Sequence, residues 1–440
     1  MTLLIISPDY ASHLFPLATL GTAWRDAGHR VVVATGPATA GIVESFGFER
    51  VELQLGRGSN AGVIRAEQQP TGEDDSLRGF FAATRLGMVE TLEYQAKERL
   101  IDLMWEPVRT AREVQRIVAE VGPDQVIVDH LAFSARLALV AGHTRHADVV
   151  LGHPSALPLG SLTDSFEVYG YPPEWPSAFA PDAASLAELR DLCERVSARF
   201  TADWNSALTE LDPSALTSDD AFAEHGDLLM LNYPAELSAP SRTAILPPHV
   251  FLGSAVRDEP ADEVVDRWLA DSSEPFVYVS FGSFLSVRSD VLGRVAAALT
   301  ALGMRAAIAL GSADRADLGD IPSDWLVREF LPQVTLLKSA VAAVTHGGNN
   351  SVTEAMTFGV PLIVLPFSTD QFAGAAAIER SGFGVALAPN RATVDELREV
   401  ITRVVALPRR SELAALGESL RAQPGRDRAF AALTTPVSEI

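Results

Sequence analysis

Cysteine is nearly absent from this chain, which has one, Cys193, among 440 residues. A single thiol cannot build an internal disulfide framework, and a cysteine-based zinc site needs several such ligands. Both features are therefore excluded, and a cytoplasmic location is the simplest expectation.

Positive charge is also scarce. The chain has 35 Lys and Arg against 57 Asp and Glu, a net charge of −22. Proteins that bind duplex nucleic acid need a basic face, so we expect no nucleic-acid partner. Any site for an anion must be made locally, from helix ends and a few donors.

Long apolar runs are missing as well. No run reaches the ~18 residues of a bilayer-spanning helix, so no membrane insertion is expected. The apolar N-terminus lacks the basic segment and cleavage site of a signal peptide, and we interpret it as a first strand. The length suits two or three domains, and the oligomeric state is left open.

A strand–turn–helix–strand pattern occupies residues 340–371. Apolar residues predict a first strand, Gly347 and Gly348 predict a turn, and apolar positions at helical spacing predict a short helix. A second apolar strand comes next and ends just before Asp370 and Gln371. Polar groups thus lie after both strands, which is where open α/β sheets bind ligands.

Two interpretations of this turn stand side by side. The first N–H groups of a helix lack internal partners and carry partial positive charge, and glycines let a phosphate approach them, so the turn predicts an anion site. His346 would add a donor there. In the alternative, Ser351 and Glu354 form the capping box of an ordinary connection.

The N-terminal half begins with a strand–helix–strand pattern that lacks the GxGxxG of nicotinamide-binding folds. His13 lies just after the first strand. Asp129 ends a later strand, and because polar groups at the carboxyl ends of parallel strands share one crevice, we expect it near His13. Asp124 is the second candidate partner, and the alternative for Asp129 is a helix cap.

Two further stretches carry weaker signals. Residues 160–181 combine proline, which excludes a continuous helix, with aromatic residues that include Phe166, Tyr169 and Trp175. They predict either the wall of an apolar ligand pocket or a packed loop. Residues 56–80, rich in glycine and polar side chains, predict a long mobile loop.

Several short motifs at fixed spacing resemble the nucleotide-sugar signature of family 1 glycosyltransferases. They are LPQ at 331–333, HGG at 346–348, NS at 350–351, Glu354, GVP at 359–361 and DQ at 370–371. The segment around His13 and Pro16 resembles the opening motif of the family, with Ser12 where a glycine is usual. Phe330 and Asn349 stand where the family commonly has tryptophan.

This resemblance implies a role for each matching residue. His13 would be the general base and Asp129 its partner. The donor-binding residues would be Gly282, Ser283, Phe330, Gln333, His346, Gly347, Gly348, Asn350, Ser351, Glu354, Asp370 and Gln371. The nucleobase of the donor would lie against Phe330 and Gln333. Its ribose would bind Glu354, and the hydroxyls of its sugar would bind Asp370 and Gln371. Phe166, Tyr169 and Trp175 are the acceptor-side candidates, and no metal ligand is expected.

The resemblance also implies the GT-B architecture, an α/β fold of two facing Rossmann-like domains with parallel sheets and a cleft between them. We expect an acceptor-binding domain over residues 1–238, a linker over 239–260 and a donor-binding domain over 261–410. The helical tail, 411–440, is expected to pack back on the first domain.

The implied activity is inverting, metal-independent transfer of a sugar from a UDP- or TDP-sugar to a hydroxyl of a small, largely apolar acceptor, such as a natural product. The nucleotide sugar is a co-substrate, and no cofactor is expected. The alternatives are a GT-B sugar-nucleotide epimerase, a non-catalytic sugar-nucleotide-binding helper protein and a dehydrogenase. His13 and the aromatic stretch argue against the epimerase, which needs no external acceptor. The presence of both His13 and the DQ pair argues against the helper protein, and the missing glycine motif disfavours the dehydrogenase.

Overall fold

The computed structural model describes residues 1–99, 102–159, 167–406 and 410–435. Seven strands form a first sheet: β1 (Thr2–Ile6), β2 (Arg30–Thr35), β3 (Glu49–Glu52), β4 (Gln125–Asp129), β5 (Ala147–Val150), β6 (Leu228–Leu231) and β7 (His249–Phe251). Their order is β3-β2-β1-β4-β5-β6-β7, and every neighbouring pair is parallel. Residues Leu3 to Ile6 are fully buried, as expected for a central parallel strand covered on both faces.

Eight helices accompany this sheet among the described residues. They are α1 (Ala11–Asp26), α2 (Ala40–Ser45), α3 (Glu73–Ala83), α4 (Met88–Tyr94), α5 (Pro107–Val121), α6 (Phe133–Ala141), α7 (Ala183–Leu211) and α8 (Pro240–Thr243). A π-helical turn, Gln95–Arg99, comes directly after α4.

Six strands form the second sheet: β8 (Phe276–Ser280), β9 (Arg305–Ala309), β10 (Leu326–Arg328), β11 (Ala342–Thr345), β12 (Leu362–Val364) and β13 (Gly384–Ala386). Their order is β10-β9-β8-β11-β12-β13, again with every pair parallel. The strand order of each sheet reverses next to its first strand, β1 or β8, which is the kind of switch point where such sheets bind ligands.

The second half contains nine helices in the part of the chain that the structure describes. They are α9 (Glu263–Ala270), α10 (Gly282–Leu285), α11 (Ser289–Ala301), α12 (Gln333–Leu337), α13 (Asn349–Thr357), α14 (Gln371–Ser381), α15 (Val394–Val405), α16 (Arg410–Ala422) and α17 (Gly425–Thr434). No helix in the described ranges is long and apolar enough to span a bilayer.

The last helix returns to the first half. In α17 the ring of Phe430 lies 5.1 Å from that of Trp24, edge to face, and Arg426 pairs with Asp26 at 3.2 Å. The carbonyl of Leu433 accepts a hydrogen bond of 2.6 Å from Gln125. Strand β7 lies within residues 239–260, the segment expected to connect the two halves, and pairs with β6.

The segment predicted as a long loop, residues 56–80, is only partly a loop. Helix α3 begins inside it at Glu73, where three acidic residues in the first turn complement the positive end of the helix dipole. The part before α3 bridges the two halves, because the N–H of Ile64 donates to the carbonyl of Ser283 at 2.9 Å.

Candidate active site

A cavity of about 660 Å³ lies between the carboxyl ends of the two sheets. The first half contributes His13, Gln95 and Tyr169 to its wall, and the second half contributes Ser283 and Asp370. Both ends are therefore needed to enclose a ligand, and side chains separated by hundreds of residues meet here.

His13 lines this cavity and is hydrogen-bonded to Asp129, which is buried behind the cavity wall. His13 lies in the first turn of α1, and its Nδ1 is 2.7 Å from Oδ2 of Asp129, which is fully buried at the end of β4. The other carboxylate oxygen accepts the N–H of Leu131 at 2.8 Å. Asp129 does not cap α6, whose N-cap residue is Ala132, and Asp124 instead accepts the N–H of Thr2.

The environment of His13 raises its basicity. Burial alone would lower the pKa of His13, but the charge and hydrogen bond of Asp129 and the charge of Asp370 outweigh that effect and raise it above 6.5. Because Nδ1 faces Asp129, the free nitrogen is Nε2. This arrangement suits an imidazole that accepts a proton at Nε2 and is stabilised as the cation by carboxylates.

The Gly347–Gly348 turn connects β11 to α13. Gly348 is the N-cap residue, and no side chain caps the helix. The capping box of Ser351 and Glu354 is not formed, because the helix already starts at Asn349 and places Ser351 inside its first turn. The first N–H groups of α13 are thus left without a side-chain cap at the edge of the cavity.

The ring of His346 is held between two glycines. A methyl group at residue 348 would approach its Nε2 to 2.4 Å, and one at residue 282 would approach its Cε1 to 2.8 Å. Gly282 and Gly347 also have positive φ angles, of 67° and 87°, which favour glycine. Burial lowers the pKa of His346 to about 4, so the ring is neutral near pH 7 and offers an N–H rather than a charge.

Glu354 lies beneath the cavity wall rather than on it. The residue is 2% exposed, and its carboxylate bonds to Gln333 Nε2 at 2.5 Å and pairs with Arg257 at 3.2 Å. Burial raises the pKa of Glu354, and the Arg257 charge opposes that rise. Direct contact of Glu354 with a ribose therefore requires Gln333 or Arg257 to give way.

Arg257 is a site residue that the sequence did not reveal. It lines the cavity, pairs with Glu259 at 3.1 Å as well as with Glu354, and its guanidinium lies 4.9 Å from the ring centre of Phe15. It belongs to the segment between the two halves, where no motif marks it. The only available signal was an arginine beside acidic residues.

Asn349 and Asn350 tie α13 to the first half. The side chain of Asn349 exchanges two hydrogen bonds of 2.8 Å with Asn232, one to its side chain and one to its carbonyl. Asn350 Nδ2 donates to the carbonyl of Ser12 at 3.1 Å. Asn349, which stands where the resembled glycosyltransferase motif commonly has tryptophan, therefore makes a contact between the two halves.

The residues expected to bind the nucleobase and the diphosphate, Phe330 and Ser283, also contact the first half of the chain. Ser283 Oγ is 3.4 Å from Nδ2 of Asn60. Phe330 is 54% exposed, and a methyl group at residue 62 would lie 3.1 Å from its ring. Gly62 thus packs close to one part of the Phe330 ring, and the exposed remainder is the surface available for stacking.

Asp370 and Gln371 have different environments. Asp370 lines the cavity, its Oδ2 accepts the N–H of His153 at 2.6 Å, and burial raises its pKa. Gln371 is 7% exposed, and its Oε1 accepts the N–H groups of Phe367 and Ser368 at 3.0 and 3.2 Å. The Gln371 amide thus stabilises its own loop, although both residues line the cavity.

The acceptor-side candidates also differ in their environments. Tyr169 lines the cavity and stacks on Phe222 with ring centres 4.0 Å apart. Trp175 is absent from the wall and packs against a buried cluster that includes Leu189 and Phe372. Phe166 lies outside the described residues. No group of three or more potential metal ligands occurs in the part of the chain that the structure describes.

The sequence of this chain is similar to a protein-family model and to several known proteins. Residues 293–427 match the family model "Erythromycin biosynthesis protein CIII-like, C-terminal domain". The chain is 25% identical over 448 residues to 3-alpha-mycarosylerythronolide B desosaminyl transferase of Saccharopolyspora erythraea, covering 94% of this chain and 93% of that protein. It is also 25% identical over 266 residues to an uncharacterized UDP-glucosyltransferase, YojK, of Bacillus subtilis, covering 59% and 61% of the two chains. The chain thus spans less than two thirds of that relative.

A solved structure shares the whole architecture. The glycosyltransferase VinC, in complex with DTDP, superimposes with a TM-score of 0.66 at 20% identity, covering 98% of each chain. At this identity the likeness concerns the fold alone. It confirms the predicted arrangement of two facing Rossmann-like units with parallel sheets.

Proposed function

Because this chain is related to natural-product glycosyltransferases of the GT-B fold, we propose that it transfers a sugar from a UDP- or TDP-sugar to a hydroxyl of a small, largely apolar acceptor. The observation that carries the proposal is that His13, which is paired with Asp129, lines the same cavity as the uncapped start of α13. Attack on a diphosphate-activated sugar requires both a base and an anion site, and here they share one cavity.

The proposed reaction begins with deprotonation of the acceptor. Nε2 of His13 removes the hydroxyl proton as the oxygen attacks the anomeric carbon, while Nδ1 donates to Asp129. The bond from that carbon to the diphosphate oxygen breaks, and its electron pair leaves with the diphosphate. Attack from the side opposite the leaving group inverts the anomeric centre.

The leaving diphosphate is stabilised by neutral donors in this proposal. The donors would be the first N–H groups of α13, the N–H of the His346 ring and the hydroxyl of Ser283, all from residues that line the cavity. Donors fixed before the reaction need no reorganisation as charge develops. The scheme uses no resident metal or cofactor, and the nucleotide sugar is consumed as a co-substrate.

The test is a thermal-shift screen with UDP, TDP, GDP and their glucose conjugates, followed by mass spectrometry of acceptor mixtures. We expect UDP or TDP to raise the melting temperature and a hexose to be added to an acceptor. Release of an epimerised sugar without any acceptor would favour the epimerase alternative instead.

His13→Ala separates chemistry from binding. We expect transfer to fall by about 100-fold or more, because the base is lost, while UDP or TDP still binds by calorimetry. His29→Ala, at a half-buried histidine outside the cavity wall, is the matched control. Unchanged turnover in His13→Ala would contradict the assignment of the base.

A further inference from the structure

The connection from β12 to α14 contains a strained residue. Thr369 has a φ of 52°, a left-handed conformation that β-branched residues rarely adopt. It immediately precedes Asp370. Strained conformations persist only where the surroundings hold them, and they concentrate at ligand sites.

Two groups of hydrogen bonds hold this loop. From within the second half, the Gln371 side chain binds the backbone of Phe367 and Ser368. From the first half, Oε1 of Gln95 accepts the N–H of Thr369 at 3.2 Å, and the N–H of His153 donates to Asp370. The strained residue is therefore held by a side chain of the opposite half.

Gln95 is placed for this contact by an irregularity of its own helix. It is the first residue of the π-helical turn Gln95–Arg99, a feature found frequently at functional sites. The next residue, Ala96, belongs to the same buried cluster as Phe372 of α14. The start of α14 and the turn that carries Gln95 thus contribute to one buried apolar cluster.

The approach of Asp370 to the first half is equally close. A methyl group at residue 152 would come within 2.8 Å of Oδ2 of Asp370, so the contact with His153 depends on Gly152 having no side chain. Both Gln95 and Asp370 line the cavity. A small displacement of this loop therefore changes where the Asp370 carboxylate lies in the cavity.

We propose that Gln95 is a positioning residue for the sugar part of the donor, holding the Thr369 backbone so that the Asp370 carboxylate faces the sugar hydroxyls and His13. This inference rests on the proposed function. The first half of the chain, which forms the acceptor side of the cavity, then also sets the affinity for the donor sugar through Gln95.

The proposal separates two parts of one ligand. A nucleoside diphosphate has no sugar for Asp370 to contact, whereas its glucose conjugate does. Gln95→Met, which keeps the length but removes the strong acceptor, should weaken binding of UDP-glucose or TDP-glucose about three- to tenfold, the effect of one hydrogen bond. Binding of UDP or TDP alone should stay within about twofold of wild type, since neither contacts the loop.

Two variants make the comparison specific. Gln95→Glu keeps an acceptor for the Thr369 N–H and should restore the ratio of the two affinities. Ser177→Ala removes another contact between the halves, the one from Ser177 to Glu379 of α14, and should leave the ratio unchanged. Each affinity is measured by calorimetry on the full chain.

The pH dependence of kcat/KM provides a second readout. The charged and ring groups that face His13 are Asp129 from β4, Asp370 from the loop and Tyr10 at the start of α1. If Gln95→Met lets Asp370 move away, His13 loses one of the charges that raise its pKa. The acidic limb of the profile should then shift to lower pH.

The outcomes are distinct. If wild type binds neither nucleotide nor nucleotide sugar, the proposed function itself fails. Suppose instead that wild type binds both ligands, and that Gln95→Met leaves the ratio of the two affinities and the pH profile unchanged. The role of Gln95 is then overturned, while the proposed function stands.

Discussion

The basicity of His13 depends on carboxylates from both halves of the chain. Asp129 contacts its Nδ1, and Asp370 acts on it by charge from the opposite wall. A base that must be neutral to work is useful only above its own pKa. We therefore expect transfer to decline as the pH falls through the raised pKa of His13.

Asp129→Asn tests this dependence. Removing the charge should lower the pKa of His13 and move the acidic limb of kcat/KM to lower pH. The plateau should fall as well, because the imidazolium is no longer stabilised and an asparagine amide can favour the wrong tautomer. The measurement is kcat/KM for the acceptor as a function of pH, with the nucleotide sugar saturating.

Asp124→Asn is the matched control for this profile. Asp124 precedes the amino end of β4, opposite the end that reaches the cavity, and bonds to the N–H of Thr2, so its profile should superimpose on that of wild type. An acidic limb of Asp129→Asn that coincides with the wild-type limb would contradict the assigned pair.

At the scale of elements, the start of α13 is shaped by the small size of its neighbours. Gly282 and Gly348 leave room for the His346 ring, and the absence of a side-chain cap leaves the first N–H groups available. We expect a substitution at either glycine to change the geometry of the anion site rather than the core of either half.

Gly348→Ala should displace His346, since the new methyl group would lie 2.4 Å from Nε2. Overpacking of this kind costs about 1–3 kcal/mol, which corresponds to about a 5- to 140-fold loss of affinity for UDP or TDP if binding needs the displaced ring. Calorimetric titration measures it.

Gly41→Ala provides the comparison. It lies in α2, its φ is not positive, and a methyl group there would meet nothing within 4 Å. Its nucleotide affinity should equal that of wild type, and stability should be equal or slightly higher. Equal affinity of Gly348→Ala and wild type would show that the His346 ring plays no part in binding.

For the whole molecule, the return of α17 joins the last described helix to the first. Phe430 packs on Trp24 of α1 while Arg426 pairs with Asp26. The closing contact is mainly apolar, because the ion pair is exposed and such pairs contribute little.

Phe430→Ala should therefore destabilise the first half by about 1–3 kcal/mol, the value of most of a phenylalanine ring removed from water. The measurement is thermal unfolding monitored by tryptophan fluorescence. Leu216→Ala, at a side chain that is 92% exposed, should leave the melting temperature unchanged. A similar melting temperature for all three proteins would mean that α17 adds no stability through Trp24.

The two parallel sheets could be predicted from the amino-acid sequence alone, since buried apolar strands alternating with helices leave few other arrangements. His13, Asp129 and the Gly347–Gly348 turn could be identified for a related reason. Each lies at or just beyond the end of a strand, so the local order of the chain is enough to place it at the carboxyl edge of a sheet.

The way in which the two sheet edges meet could be learned only from the folded chain. Gln95, Arg257 and Asn349 take their roles from partners more than 90 residues away, and no local pattern encodes such contacts. The same holds for the internal use of the Gln371 amide and for the withdrawal of Glu354 and Trp175 from the cavity wall. Their surroundings are created by packing between distant segments, which sequence spacing does not describe.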